Sequence, residues 1–170
     1  MSPRVVLVGP PGAGKSTVGK RLAVRLGCDF LDSDAEVERE AGRTIPEIFE
    51  EEGEAGFRRR ESEVLARLLR ECAGVLSLGG GAVTREENRE LLVGQPVVWL
   101  DIDPSLAFRR VAGGRGRPLL AGKDEATLAG LIAEREPWYR EVAKWRVETS
   151  AGSPDRLVKQ IERLLDGSWD

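Results

Sequence analysis

Lys15 and Ser16 end a run of small residues whose spacing suits one kind of chemistry. The stretch Gly9-Pro10-Pro11-Gly12-Ala13-Gly14-Lys15-Ser16-Thr17 has the pattern G-x-x-x-x-G-K-[ST], which cradles phosphates when it joins a strand to a helix. Glycines at 12 and 14 flanking Ala13 let backbone N–H groups approach phosphate oxygens without an intervening Cβ. Lys15 supplies a flexible point charge for β- and γ-phosphates, and the Ser16 hydroxyl is a hard oxygen donor suited to Mg²⁺, with Thr17 beside it. A helix starting near Gly14 adds the positive end of its dipole. The pattern implies a nucleoside triphosphate ligand.

Asp32 and Asp34 form a second candidate group. They lie two residues apart just after the apolar Phe30-Leu31, so a continuing strand would project both carboxylates from one side. One suits the shell of a divalent cation; the other suits orientation of a hydroxyl nucleophile. Asp101, after Val97 to Leu100, has the form of a rival strand-end metal ligand. Arginine is repeated at Arg58-Arg59-Arg60, at Arg109-Arg110, within Gly113-Gly114-Arg115-Gly116-Arg117-Pro118, and at Arg135. On residue type alone, Arg58 and Arg135 fit solvated helix faces as well as an anion site. Gly79-Gly80-Gly81 follows a strand directly, a placement that suits close approach of a ligand. The glycine-rich segment around Arg117 reads as a mobile basic loop able to close over a transferring phosphate.

The elements that must position these residues alternate between the two periodicities. Val5 to Val8 reads as a fully buried strand, followed by a helix whose inner face is Val18, Leu22 and Leu26. A short strand at 30–32 precedes a charged helix over 35–41. Thr44, Pro46 and Glu47 mark a helix start with a capping box. Gly53 and Gly56 are expected to interrupt that helix before a longer one through Leu69. Strands are expected at 75–78, at 97–100 and at 145–148, with helices over 85–92, from Pro104, over 125–143 and from Pro154. Strands alternating with helices predict an α/β fold, a parallel sheet covered on both faces.

The composition narrows the function classes. A chain of 170 residues with 41% hydrophobic and 32% charged residues fits one soluble globular domain. A net charge of −3 gives no general attraction to nucleic acid or anionic membrane, and neither is expected as a partner. With no histidine in the chain, histidine bases, triads and metal sites are excluded. Cys28 and Cys72 are isolated and read as small hydrophobes in a reduced, cytoplasmic protein. The apolar run at Val5 leaves no room for a signal peptide ahead of it, and no run reaches the ~20 residues of a membrane span.

Taken together, the phosphate loop, Asp32-Ser33-Asp34, Phe57-Arg58 with Glu61, Gly79-Gly80-Gly81, Arg117-Pro118-Leu119, and Arg135 with Pro137 and Tyr139 resemble the shikimate kinases over nearly the whole chain. The resemblance implies a three-layer α/β/α P-loop kinase of the nucleoside-monophosphate-kinase type, with a five-stranded parallel sheet in the order 2-3-1-4-5. It implies a single domain over 1–170 with the phosphate loop at 9–17, a substrate-binding helical region at about 33–61 and a lid at about 112–124. The implied reaction is ATP-dependent phosphorylation of the 3-hydroxyl of shikimate, with Mg²⁺ as cofactor, in a monomeric cytoplasmic enzyme of aromatic amino-acid biosynthesis. Lys15, Asp34 and Arg117 would be catalytic, Asp34 holding the shikimate hydroxyls as positioner or base. With an ordinary carboxyl pKa near 3.9, positioning would be its main task. Arg58 and Arg135 would bind the carboxylate, Phe57 would wall the pocket, and Gly79, Gly80 and Gly81 would face the ring. Ser16 and Asp32 would serve the metal. Arg110 would stack on adenine, with Arg109 competing for that role and Pro154 on the base's other face. The alternatives are another small-metabolite kinase, of gluconate type, or a nucleoside monophosphate kinase. The Pro10-Pro11 spelling also occurs in adenylate kinases, and Trp138 stands where the family tends to have leucine.

Overall fold

The computed structural model describes residues 2–112, 124–149 and 153–167. Five strands form one parallel sheet in the order β2-β3-β1-β4-β5: β1 is Val5–Val8, β2 Phe30–Asp32, β3 Val75–Ser77, β4 Val97–Ile102 and β5 Trp145–Thr149. The order expected from the resemblance is the order found. Central β1 pairs with β3 through Val6↔Leu76 and with β4 through Leu7↔Val98. All four of its side chains are buried because both faces of the sheet are covered.

The period-2 alternation of β1 divides the core. Val6 and Val8 pack with Leu76, Trp99, Leu65, Leu68 and Tyr139, whereas Val5 and Leu7 pack with Val98, Leu100, Leu22 and Ile161. The first layer is covered mainly by helices α2 (Ser33–Ala41), α3 (Ile45–Glu71) and α6 (Glu125–Val142). The second is covered by α1 (Lys15–Leu26) and α7 (Pro154–Asp166), joined through the Arg21–Asp155 and Arg25–Glu162 ion pairs. A 3-10 turn at Ala82–Thr84, α4 (Glu86–Leu92) and α5 (Pro104–Ala112) complete the described elements. No helix among the described residues is long and apolar enough to cross a membrane.

Several expected boundaries move. The chain does not continue as a strand past Asp32; α2 begins at Ser33, with Asp32 as its N-cap. The Thr44–Glu47 capping box is present, and α3 runs from it to Glu71. Gly53 alone leaves helical geometry, at φ 72° and ψ −179°, so α3 kinks there. Gly56 causes no break and is buried within the helix. Strand β3 ends at Ser77, one residue early, while β4 runs beyond Leu100 to Ile102 and takes Asp101 into the sheet.

Candidate active site

Strands β1, β2 and β3 all deliver their carboxyl ends to one edge of the sheet, where a parallel α/β sheet binds its ligands. After β1 the chain forms the phosphate loop, with Gly14 in the left-handed region at φ 87° just before α1. The Lys15 Nζ donates to the carbonyls of Gly9 (2.7 Å) and Pro10 (3.0 Å), folding the ammonium back over the loop. A cleft of about 520 Å³ lies against it, lined by Lys15, Ser16, Asp32, Asp34, Gly80 and Arg110 among others. Arg110 of α5 donates to the Gly12 carbonyl at 3.2 Å, so it joins the loop, whereas Arg109 is absent from the cleft wall. Pro154 does not line this cleft; it opens α7. Arg117 and most of the expected lid lie outside the described residues.

The two aspartates converge by a different route from strand alternation. Asp32 Oδ1 accepts the Asp34 N–H at 2.8 Å as the cap of α2, and Asp32 Oδ2 accepts from Ser16 Oγ at 3.2 Å. Two hard oxygen donors therefore meet beside the phosphate loop, a set that fits a small divalent cation. Asp101 does not compete. It lies within β4 and is ion-paired with Arg146 of β5, a contact in which Arg146 Nε donates at 2.8 Å.

Asp34 is not an ordinary surface carboxylate. Burial first, then the negative charges of Glu61 and Asp32, push its pKa up to about 7, against the pull of Lys15 and Arg58. The expected value near 3.9 is corrected: at neutral pH this group can take a proton. Its Oδ1 has no hydrogen-bond partner, and neither does Oε2 of Glu61. A Cβ built on Gly79 would lie 2.6 Å from the first and 3.0 Å from the second, so both oxygens crowd the bare backbone of that residue.

Behind the cleft lies a corner of buried charge. Arg58 is 7% exposed and Arg135 4%, so neither occupies a solvated helix face. Arg58 Nη1 donates to Glu61 Oε1 at 2.8 Å, one turn later on α3, and its guanidinium lies 5.2 Å from the Phe57 ring centre. Phe57 is buried and packs on Phe49 with ring centres 4.9 Å apart. Burial pushes Glu61 up, while Arg58, Arg135 and Arg85 pull it back. No carboxylate lies within ion-pair range of Arg135 among the described residues, so Glu134 and Glu136 are not its partners. Gly81 is where Arg58 meets the backbone; a Cβ there would fall 2.2 Å from Nη2. Phe57, Arg58, Gly81 and Arg135 thus form a layer behind Gly79 and Gly80 rather than the wall of the cleft itself.

Within the arginine triplet the structure separates the members. Arg59 is exposed, and Arg60 spans the Gly53 kink to Glu52, with Nε–Oε1 3.0 Å and Nη2–Oε2 2.9 Å. Three supporting residues had no role assigned from the sequence. Glu61 pairs Arg58; the buried Ser33 hydroxyl accepts the Gly79 N–H at 3.1 Å; the Tyr139 hydroxyl donates to the Gly80 carbonyl at 2.6 Å. Asp-Ser-Asp and the Arg135–Tyr139 spacing were the available signals.

A sequence model of the shikimate kinase family matches residues 11–166. The chain belongs to the shikimate kinase family. It is 51% identical over 166 residues to a shikimate kinase of Mycobacterium avium, covering 97% of this chain and 94% of that one. It is 50% identical over 165 residues to one of Salinispora arenicola, covering 97% and 99%. Among solved structures, a shikimate kinase from Acinetobacter baumannii in complex with shikimate aligns with TM-score 0.94 and 46% identity, covering 99% of this chain and 94% of that one. One from Aquifex aeolicus aligns with TM-score 0.83 and 35% identity, covering 96% of each chain.

Proposed function

We propose that this protein transfers the γ-phosphoryl group of ATP to the 3-hydroxyl of shikimate, giving ADP and shikimate 3-phosphate. One observation carries the choice of acceptor. Arg58 and Arg135 are buried beside the phosphate cleft; Arg58 is paired with Glu61 and, at 3.6 Å, with the exposed Glu54, whereas no carboxylate among the described residues lies in ion-pair range of Arg135. A buried guanidinium without a direct ion-pair partner is costly, so the corner is suited to receive an anion. A carboxylate meets a planar guanidinium through two parallel hydrogen bonds. Gluconate also carries a carboxylate, but its open chain lacks the compact ring that the bare backbone of Gly79 and Gly80 and the apolar Ile45 suit.

The residues then divide the work. Backbone groups of Gly12, Ala13 and Gly14, with Lys15, Ser16 and Thr17, hold the ATP phosphates, and Arg110 lies over the same loop. Asp34 orients the 3-hydroxyl. As the hydroxyl oxygen bonds to the γ-phosphorus, the bond from that phosphorus to the ADP oxygen breaks and the proton passes to Asp34. A carboxyl group with a pKa near 7 can accept that proton and still lose it to water at working pH. Ser16 and Asp32 would hold Mg²⁺, which when bound neutralises phosphate charge. Arg117 retains its role as a closing arginine by resemblance alone. We also propose a monomer acting in the cytoplasm. Among the described residues the exposed large hydrophobics are Val24, Leu91 and Val93, and both cysteines are free.

The test is ADP release with shikimate, gluconate, AMP, CMP or no acceptor. Turnover with shikimate alone is expected. Comparable turnover of gluconate or a nucleoside monophosphate would overturn the assignment.

A further inference from the structure

We propose that Tyr139 is a positioning residue for the acceptor: its hydroxyl holds the Gly80 carbonyl and the Arg135 guanidinium in the arrangement that presents both to the substrate. The inference rests on shikimate being the acceptor and adds a residue to its binding corner. Tyr139 is 1% exposed, and its ring stacks on Trp99 of β4 with centres 6.0 Å apart at 26°. The ring therefore belongs to the core, and packing alone would be met equally by phenylalanine. The hydroxyl does something a core ring does not need. It reaches 59 residues back along the chain to donate to the Gly80 carbonyl at 2.6 Å, joining α6 to the loop after β3.

The carbonyl that accepts from this hydroxyl and the guanidinium that neighbours it both matter to the acceptor. Arg135 lies one helical turn earlier on the same face of α6, and its guanidinium sits beside the Tyr139 hydroxyl. Gly80 lines the cleft and is pressed against the phosphate loop; a Cβ on it would stand 2.9 Å from Pro11 Cδ and 3.4 Å from the Gly9 carbonyl oxygen. The loop thus limits Gly80 from one side and Tyr139 ties it from the other. Burial pushes the phenol up to about 12, ahead of the opposing pull of Arg135, so it remains a donor throughout the neutral range. Removing the hydroxyl leaves a buried carbonyl without this donor and frees the Arg135 fork to tilt.

Tyr139→Phe tests this by steady-state kinetics with each substrate varied in turn. The expected result is a shikimate KM raised about 3- to 20-fold, the loss of one buried hydrogen bond. The ATP KM should stay within about twofold, and kcat should fall less than the shikimate KM rises. Because the ring stays, the melting temperature should drop only a few degrees, on the order of one hydrogen bond. An unchanged shikimate KM, or equal rises in both KM values, would overturn the proposal. In the Arg135→Ala background the same substitution should cost clearly less, because the residue acts partly through Arg135. Fully multiplicative losses would also overturn it. If wild type itself does not turn over shikimate, the acceptor assignment fails, a result distinct from an unaltered variant.

Discussion

The phosphate cleft and the acceptor corner meet at Gly79 and Gly80 but are built by opposite means. On its phosphate side the cleft is walled by one contiguous stretch, the loop ending at Thr17, whose backbone N–H groups suit phosphate oxygens; Lys15 donates within that loop to the Gly9 and Pro10 carbonyls. The corner is made of side chains from separate elements: Asp34 of α2, Arg58 and Glu61 of α3, Arg135 and Tyr139 of α6. Several of them are ionisable and buried, and three carry polar atoms without partners: Asp34 Oδ1, Arg58 Nε and Glu61 Oε2. A loop of backbone donors suits any nucleoside triphosphate. An incompletely paired charged corner suits one kind of acceptor, and it is where folding free energy is given up for function.

Substitutions should therefore separate the two regions. The largest effect is expected where they touch: Asp34→Asn should lower kcat by about 10²- to 10⁴-fold, the usual span for a general base. The same variant should be more stable than wild type, increasingly so as pH rises. Folded Asp34 has a pKa of about 7 against 3.8 in the unfolded chain, so the folded state holds its proton longer. Stability then falls as pH climbs between those values, and the substitution removes that loss. The gain in unfolding free energy should grow from pH 4 to pH 8 by an amount on the order of 2–4 kcal/mol, measured by urea denaturation. A gain independent of pH would show that Asp34 is not held protonated.

Next in size, Arg58→Lys keeps the charge but loses the planar fork. It should cost about 1–3 kcal/mol in shikimate kcat/KM, with Arg135→Ala costing at least as much. Neither should much alter the KM for ATP. A smaller effect separates the carboxylates: Asp32→Asn should raise the Mg²⁺ needed for half-maximal rate, whereas Asp101→Asn, which breaks only a pair with Arg146, should not. The reverse would move the metal to β4. Smallest of all, Arg59→Ala should be silent. Arg60→Ala should lower stability only slightly, through loss of its pair with Glu52, leaving kinetics unchanged.

The contrast between the regions also explains what the sequence revealed. The phosphate loop was legible because its spacing and flanking periodicities lie in one stretch, and the alternation of strands and helices gave the layered fold. Strand order came from family resemblance, since hydrophobic period says nothing about which strands are neighbours. Strand alternation does not extend past Asp32, because its side chain caps the next helix and ends the strand. At Gly56 glycine does not act as a breaker; it is buried within α3. In Arg58-Arg59-Arg60 three identical side chains differ only in which faces the core, which depends on the kink at Gly53 and the partners beyond it. The Asp34 pKa was out of reach for the same reason. Its cause is burial beside Glu61, 27 positions away in sequence and adjacent only in the fold.

The central claim is that a substrate carboxylate completes the buried charge of the corner. Comparing kcat/KM for shikimate and for its methyl ester, with wild type and with Arg135→Ala, tests it most directly. Wild type should prefer the acid by about 100-fold or more, the worth of a desolvated bidentate pair, and Arg135→Ala should lose most of that preference. If wild type turned over the ester as readily as the acid, or if Arg135→Ala discriminated as strongly as wild type, the corner would not be the carboxylate site.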